Sequence, residues 1–325
     1  MAMRKIGVLS SGTDGPGVNP ALRAAVRIAL SMGAQVVGVR RGYAGLLNGE
    51  FVELTARSVS GIISKGGTFL GSSRSLEFKS RRGQLEALRR LNEAEVDGLV
   101  VIGGDGTMRG AQQLHELGFP VIGVPATVEN DLPGTDTAIG VDTALNTALE
   151  AIDRIKDTAS AHQRAFLVEV MGRESGYMAL MAGLAGGAEM VCIPEVPFEL
   201  DDVARTVTEA YVKGKPHCII VVAEGARYGV QAIASYLREL HEEAGFSVRE
   251  TILGYIQRGG APLAYDRMLA TRLGAAGARF LLEGHRGEMV GLVGNEVVAT
   301  PLAEVIAQRK PIDVNMFRLA EVLAR

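Results

Sequence analysis

The chain has 325 residues, with 34 Lys and Arg against 37 Asp and Glu for a net charge of −3, and is 47% hydrophobic and 22% charged. This balance excludes a disordered or fibrous chain and a bulk electrostatic hold on nucleic acid or an anionic membrane; the length predicts two domains, and any anionic partner is expected to be small. Glycine is abundant at 41 residues, Trp is absent and aromatics make up only 5%, which predicts many turns where backbone approaches another group closely.

The first strand-like run, Ile6–Leu9, follows Arg4-Lys5 directly and is too short for a secretory signal. It opens into Ser10-Ser11-Gly12-Thr13-Asp14-Gly15-Pro16-Gly17-Val18-Asn19 ahead of a helical pattern over Ala21–Met32. That turn reads equally as an anion cradle at a helix N-terminus and as a ligand-free strand-to-helix turn. After a strand at Val36–Val39 and a helix at Gln84–Asn92, the buried run Gly98–Ile102 delivers Gly103-Gly104-Asp105-Gly106-Thr107 to another helix start. Asp105 is then either a helix cap or a Mg²⁺ ligand beside phosphate-facing amides; a cap needs no flanking glycines, which favours the metal. The next strand, Val121–Val124, leads to Pro125-Ala126-Thr127-Val128-Glu129-Asn130-Asp131, where two carboxylates two positions apart form either an Asx-rich turn or the divided acid–base machinery of a phosphoryl transfer.

A boundary near the start of a long helical pattern over Thr137–Asp157 would give two α/β lobes facing each other across a cleft, and strands follow at Phe166–Val170, Val191–Ile193, Ile219–Val222 and Thr251–Leu253. Helical patterns cover Asp201–Lys213, Val230–Ala244 and Arg267–Leu282. Such βα alternation predicts parallel sheets with helices on both faces and ligands at the carboxyl ends of the strands. Cys192 and Cys218 sit in apolar runs and read as core residues of a reduced cytoplasm, while the Gly-interrupted stretch from Met178 to Ala188 is too short to span a bilayer. Arg164, Arg173, Arg249 and Arg258 are expected beside strand ends, where fixed guanidinium geometry suits phosphate, and together they predict two phosphorylated ligands meeting in a cleft.

With Gly66-Gly67-Thr68-Phe69-Leu70-Gly71-Ser72, His162-Gln163-Arg164, Val168-Glu169-Val170-Met171-Gly172-Arg173 and Gly254-Tyr255-Ile256-Gln257-Arg258-Gly259-Gly260, these turns resemble the bacterial allosteric type of the ATP-dependent 6-phosphofructokinase family over nearly the full length. The resemblance implies an α/β fold of two similar doubly wound parallel-sheet lobes with the active site in the cleft between them. Residues 1–140 with 257–307 would form the larger nucleotide-binding lobe, and 141–256 with 308–325 the smaller sugar-phosphate lobe. The implied reaction is Mg²⁺-dependent transfer of the ATP γ-phosphoryl group to O1 of fructose 6-phosphate. Asp105 would hold Mg²⁺, and Thr13, Arg74, Gly104, Gly106, Thr107 and Gly110 would line the ATP site. Thr127, Arg74 and Arg173 would stabilise the transferring group, Glu129 would be the base and Asp131 its neighbour. Arg164, Met171, Gly172, Arg173, Glu224, Arg249, Tyr255 and Arg258 would grip the sugar phosphate together with Thr127 and Glu129, with Arg164 and Arg249 reaching in from a neighbouring subunit of a homotetramer. Arg23, Arg27, Gly187, Glu189, Lys213, Lys215 and His217 match an effector site for ADP or phosphoenolpyruvate, where Ala56 replaces a usual Arg.

Three positions depart from the family pattern: Thr13 for a Gly, Glu129 for an Asp, and Tyr255 for a His. They predict a narrowed nucleotide turn, a base one methylene longer and a less positive sugar-phosphate pocket. Gly106 and Ala126 point to ATP as donor, since pyrophosphate-using relatives carry Asp and Lys there. Alternatives are a catalytically weak regulatory paralogue, a kinase for another sugar phosphate such as a seven-carbon ketose phosphate, and an NAD or lipid kinase sharing only Gly-Gly-Asp-Gly-Thr.

Overall fold

The computed structural model describes residues 3–12, 14–240 and 245–324. Thr13, and residues 241–244 at the end of the expected Val230–Ala244 helix, lie outside the described residues. In chain order the strands are β1 (Lys5–Ser11), β2 (Gln35–Val39), β3 (Phe51–Glu53), β4 (Gly98–Gly103), β5 (Val121–Pro125), β6 (Arg164–Val170), β7 (Met190–Cys192), β8 (Cys218–Ala223), β9 (Ser247–Ile252), β10 (Glu288–Val293) and β11 (Glu296–Pro301). By contacts the chain forms two compact units, one of Met1–Thr127, Asp131–Thr143 and Arg258–Lys310, the other of Val128–Asn130, Ala144–Gln257 and Pro311–Arg325.

The first unit holds a seven-stranded sheet in the order β11-β10-β5-β4-β1-β2-β3. Its centre is parallel, and β4 is buried at every residue, the continuous apolar run expected of a strand covered on both faces. One face packs on the Val18–Ser31 and Ala264–Glu283 helices, the other on the Arg81–Glu93, Asp105–Glu116 and Leu302–Ala307 helices. The first two helices approach so closely that a Cβ on Gly274 would lie 2.2 Å from the Ala21 carbonyl oxygen, so only glycine fits there. The expected all-parallel sheet is corrected at its edges, because β3 and β11 run antiparallel. The β10–β11 hairpin turns on Gly294-Asn295, both at positive φ, a pairing suited to a two-residue turn.

The second unit holds a four-stranded parallel sheet in the order β7-β8-β6-β9. Apolar clusters cover both its faces, and Cys192 and Cys218 are buried in them as free thiols. Burial pushes the Cys192 thiol up to about 12 and raises Cys218 as well, so both are inert at neutral pH. Among the described residues no helix is long and apolar enough to cross a membrane.

Asp266, fully buried in the first turn of the Ala264–Glu283 helix, fixes the start of the Val141–His162 helix. Its Oδ1 accepts the Gly140 N–H at 2.8 Å, and its Oδ2 accepts the Thr143 N–H at 2.8 Å and the Thr143 hydroxyl at 2.7 Å. A carboxylate at a helix N-terminus also meets the positive end of the helix dipole. Burial still raises the Asp266 pKa, so these donors offset its desolvation only in part. Replacing Asp266 with Ala strands the buried donors and should lower unfolding stability by roughly 2–4 kcal/mol, read from the urea midpoint at unchanged slope; a change below about 0.5 kcal/mol would show that the pin is not needed.

Candidate active site

In the first unit, strand register assembles the three turns. Ser11 pairs with Gly103 and Gly103 with Pro125, so β1, β4 and β5 end on one line. The Thr107 hydroxyl donates to the Ser11 carbonyl at 2.7 Å and the Ala126 N–H to the Gly103 carbonyl at 2.9 Å, which ties each turn to the next. Gly12 adopts φ +70, beside the Thr13 position that lies outside the described residues. Arg258 pairs with Asp14 of this first turn and contacts the Gly12 carbonyl at 3.5 Å. The Gly66–Ser72 segment is fastened alongside. Asn19 donates to the Lys65 and Gly66 carbonyls and accepts the Phe69 N–H at 2.6 Å, while the Ser10 and Thr68 hydroxyls lie 2.6 Å apart. Arg74, just beyond, is exposed.

The cap alternative for Asp105 does not hold. Gly104 is the N-cap of the Asp105–Glu116 helix, and the Asp105 carboxylate is held by Arg109 Nε at 2.9 Å, one turn along. The first amides of such a helix have no intrahelical acceptor and point outward with the positive end of the dipole. Asp105 is partly exposed at this end, a single accessible carboxylate of the kind that binds Mg²⁺ together with waters and substrate phosphates. No cluster of three or more His, Cys, Asp or Glu able to hold a metal occurs among the described residues, so a cation here would rely on the substrate for its other ligands. Thr107 and Gly110 have structural partners: Thr107 is buried under the Tyr43 hydroxyl, which donates to its carbonyl at 2.8 Å, and a Cβ on Gly110 would strike the Tyr43 ring at 2.6 Å.

At the end of β5, Thr127 lies beside Gly104, whose added Cβ would be 3.5 Å from the Thr127 Cβ. Its hydroxyl faces Asp131 Oδ1 at 3.5 Å, while Arg309 Nη1 donates to Asp131 Oδ2 at 3.0 Å. Burial first, and then the charge of Asp105, push the Asp131 carboxyl up, whereas its own backbone N–H, Arg309 and Thr127 pull it down; the net direction is up.

In the second unit, Met171, Gly172, Arg173 and Glu224 follow directly on the carboxyl ends of β6 and β8. Gly172 takes φ +139 with the Ser175 carbonyl 2.3 Å from where a Cβ would be, so the turn requires glycine. Arg173 Nε donates to Glu224 Oε1 at 2.9 Å, and this hydrogen bond and charge raise the Arg173 pKa. Glu129 joins this group: its Oε2 accepts the Arg173 N–H at 3.3 Å, and its carbonyl accepts the Ser175 hydroxyl at 3.1 Å. Fully buried Gln257 accepts the Met171 N–H at 2.8 Å, and Tyr255 is 73% exposed.

Two of the four arginines expected beside strand ends lie at the opposite end of this sheet from Arg173. Arg164 begins β6 and Arg249 pairs with Phe166, so both lie toward the amino end of the sheet, whereas Arg173 follows its carboxyl end.

The effector-matched residues divide between the units. Arg23 and Arg27 lie on the Val18–Ser31 helix, and Arg27 donates to the Ala56 carbonyl at 3.3 Å. In the second unit Lys215 bridges Glu189 Oε1 at 3.2 Å and the Ala324 carbonyl at 3.1 Å, and Ser160 lies 2.8 Å from His217 Nδ1. Burial lowers the His217 pKa, Glu189 opposes it, and Lys156 and Lys215 add to the fall. A cavity of about 430 Å³ adjoins Glu189, Lys213 and Lys215, with Gly187 next in sequence to Ala188 of its wall. Sequence reading missed Asp266 and Arg309, whose bonds run over long sequence separations with no local pattern.

The family described as Phosphofructokinase matches residues 5–281. An ATP-dependent 6-phosphofructokinase of Brevibacillus brevis is 50% identical over 322 residues, covering 99% of this chain and 100% of the relative, and ATP-dependent 6-phosphofructokinase 1 of Thermus thermophilus is 52% identical with the same coverage. Pichia pastoris phosphofructokinase in the T-state superposes with a TM-score of 0.89 at 35% identity over 94% of this chain, which spans 36% of that larger chain. A pyrophosphate-dependent phosphofructokinase from Marinobacter aquaeolei, at 23% identity over 96% of this chain and 86% of its own, shares the fold with a TM-score of 0.85. With glycine-rich turns on the common end line of β1, β4 and β5 and a likeness to these relatives over the full length, the chain belongs to the phosphofructokinase family.

Proposed function

We propose that this protein is an ATP-dependent 6-phosphofructokinase that moves the γ-phosphoryl group of ATP to O1 of fructose 6-phosphate. The observation that carries this reading is the common end line of β1, β4 and β5, which brings Gly104, Asp105, Gly106, Thr127 and Asp131 to one place. Phosphoryl transfer asks the protein for positioning and charge stabilisation rather than covalent chemistry, and this arrangement offers both. Gly106 and Ala126 favour ATP over pyrophosphate, because neither brings the Asp or Lys that the pyrophosphate users carry.

In this reading Glu129 takes the O1 proton as O1 bonds to the γ-phosphorus and the bond to the β-phosphate oxygen breaks, releasing ADP. Thr127, Arg74 and Arg173 face the charge that develops on the transferring oxygens. Asp105 would hold Mg²⁺, which would supply neutralisation of the phosphate charge. The Arg173 N–H gives the longer Glu129 carboxylate a fixed seat, which favours a site rebuilt around Glu over a degenerate regulatory paralogue. Met171, Glu224, Tyr255 and Arg258 take part in sugar-phosphate binding. Arg164 and Arg249, at the far end of their sheet from Arg173, serve the site of a neighbouring copy, hence a homotetramer. Glu189, Lys213, Lys215 and His217, with Gly187, Arg23 and Arg27, bind an anionic effector such as ADP or phosphoenolpyruvate. The enzyme works in the cytoplasm.

Purified protein with MgATP and fructose 6-phosphate should form fructose 1,6-bisphosphate, in preference to reaction with pyrophosphate or a seven-carbon ketose phosphate; no product above background would end the proposal. Glu129→Gln should lower kcat by about 10²–10⁴-fold, as for loss of a general base. Glu129→Asp should also lose activity, on the order of 100-fold, because the shorter side chain withdraws from the Arg173 N–H, and a gain would instead mark a degenerate site. Hybrids assembled from Glu129→Gln and Arg249→Gln subunits should recover activity that neither variant has alone. Hybrids that assemble without recovery would rule out a shared site.

A further inference from the structure

The segment after the Leu302–Ala307 helix grips the loop that leaves β5. Arg309 Nη1 donates to Asp131 Oδ2 at 3.0 Å, and the Lys310 N–H donates to the Asp131 carbonyl at 3.0 Å. Lys310 Nζ donates to the Thr135 carbonyl at 2.8 Å and to the Asp136 carbonyl. Two consecutive residues thus hold the carboxylate of Asp131, its backbone and the next turn of the same loop.

Asp131 needs such a hold. Its side chain is 7% exposed, and the preceding Asn130 sits at φ +49, an uncommon conformation that the loop must be made to keep. Arg309 is the cation paired with it, and by occupying Oδ2 it leaves Oδ1 turned to Thr127, which stands beside Gly104. A guanidinium fixes a carboxylate in direction as well as charge.

We propose that Arg309 is a positioning residue for phosphoryl transfer: it fixes the direction of the Asp131 carboxylate and, with Lys310, the path of residues 131–136. The inference rests on the reading of Asp131 as part of the transfer machinery. Burial and the charge of Asp105 both work against an ionised Asp131, which adds weight to the need for a cation at this place. Arg309 is part-exposed and outside the motifs that carry the resemblance, so its role follows from its ion pair with Asp131.

The test compares Arg309→Gln, Arg309→Lys, Asp131→Asn and the Asp131→Asn/Arg309→Gln double variant in the full-length enzyme. Arg309→Gln should lower kcat by about 10- to 100-fold, the scale of a small misplacement, with KM for MgATP held within about twofold. Arg309→Lys should recover most of that loss. In the Asp131→Asn background the same substitution should add nothing, because the two residues act as one unit. Hydrogen exchange of residues 127–136 should quicken in Arg309→Gln while other loops keep their protection, a readout independent of turnover. Unchanged kcat and loop exchange in Arg309→Gln while Asp131→Asn is crippled, or losses that multiply in the double variant, would overturn the proposal. An Asp131→Asn enzyme as active as wild type would instead overturn the role of Asp131, and this inference with it.

Discussion

The registered pairing of three parallel strands governs the first unit's chemistry. Hydrogen bonds in a parallel ladder set each strand's end relative to its neighbours. Here Ser11, Gly103 and Pro125 stand side by side, and every chemical group that follows inherits that alignment. A slip of one residue in β4 would reverse the facing of its side chains and move Asp105 by about 3.3 Å relative to Thr127. Burial of all six β4 residues guards against that slip, since any other register exposes apolar surface or buries a polar group. Core packing and site geometry are therefore one constraint.

The second unit solves a different problem on the same architecture. Its parallel sheet presents Met171 to Arg173 and Glu224 at one end and Arg164 and Arg249 toward the other. Glu129, though it is only two residues from Thr127 and from Asp131 in sequence, takes its described hydrogen bonds from Arg173 and Ser175. Closely spaced carboxylates in one loop are thereby given separate surroundings, which is how two groups of similar intrinsic pKa come to hold different roles.

Much of the architecture and of the site was legible in the sequence because glycine has few reasons to cluster. Gly103-Gly104 and Gly172 mark backbone that turns tightly or runs against another group, and they stand where the reading placed them. Glycine abundance was read too narrowly, however. Gly274 against Ala21 and Gly110 against Tyr43 are packing requirements between elements far apart in sequence. The strands β3, β10 and β11 escaped, β3 and β11 because half-exposed residues lack a strong apolar run; Gly294-Asn295 is the local signal that could have marked the β10–β11 hairpin. Arg309 and Asp266 escaped for a more general reason. Each acts on a partner more than 120 residues away, and nothing in its own neighbourhood distinguishes it from an ordinary surface cation or helix carboxylate.

The two cysteines have a practical consequence. Cys192 and Cys218 are the chain's only cysteines, both closed off by packing and both held in the thiol form. The native molecule is therefore chemically silent toward maleimides and other thiol reagents. A single cysteine engineered at an exposed position such as Met268 would be the one reactive handle in the folded protein, so a fluorophore or spin label could be attached without first removing a native residue. Slow uptake of reagent by the wild-type chain would then count its openings, turning the buried pair into an internal clock for unfolding of the second unit.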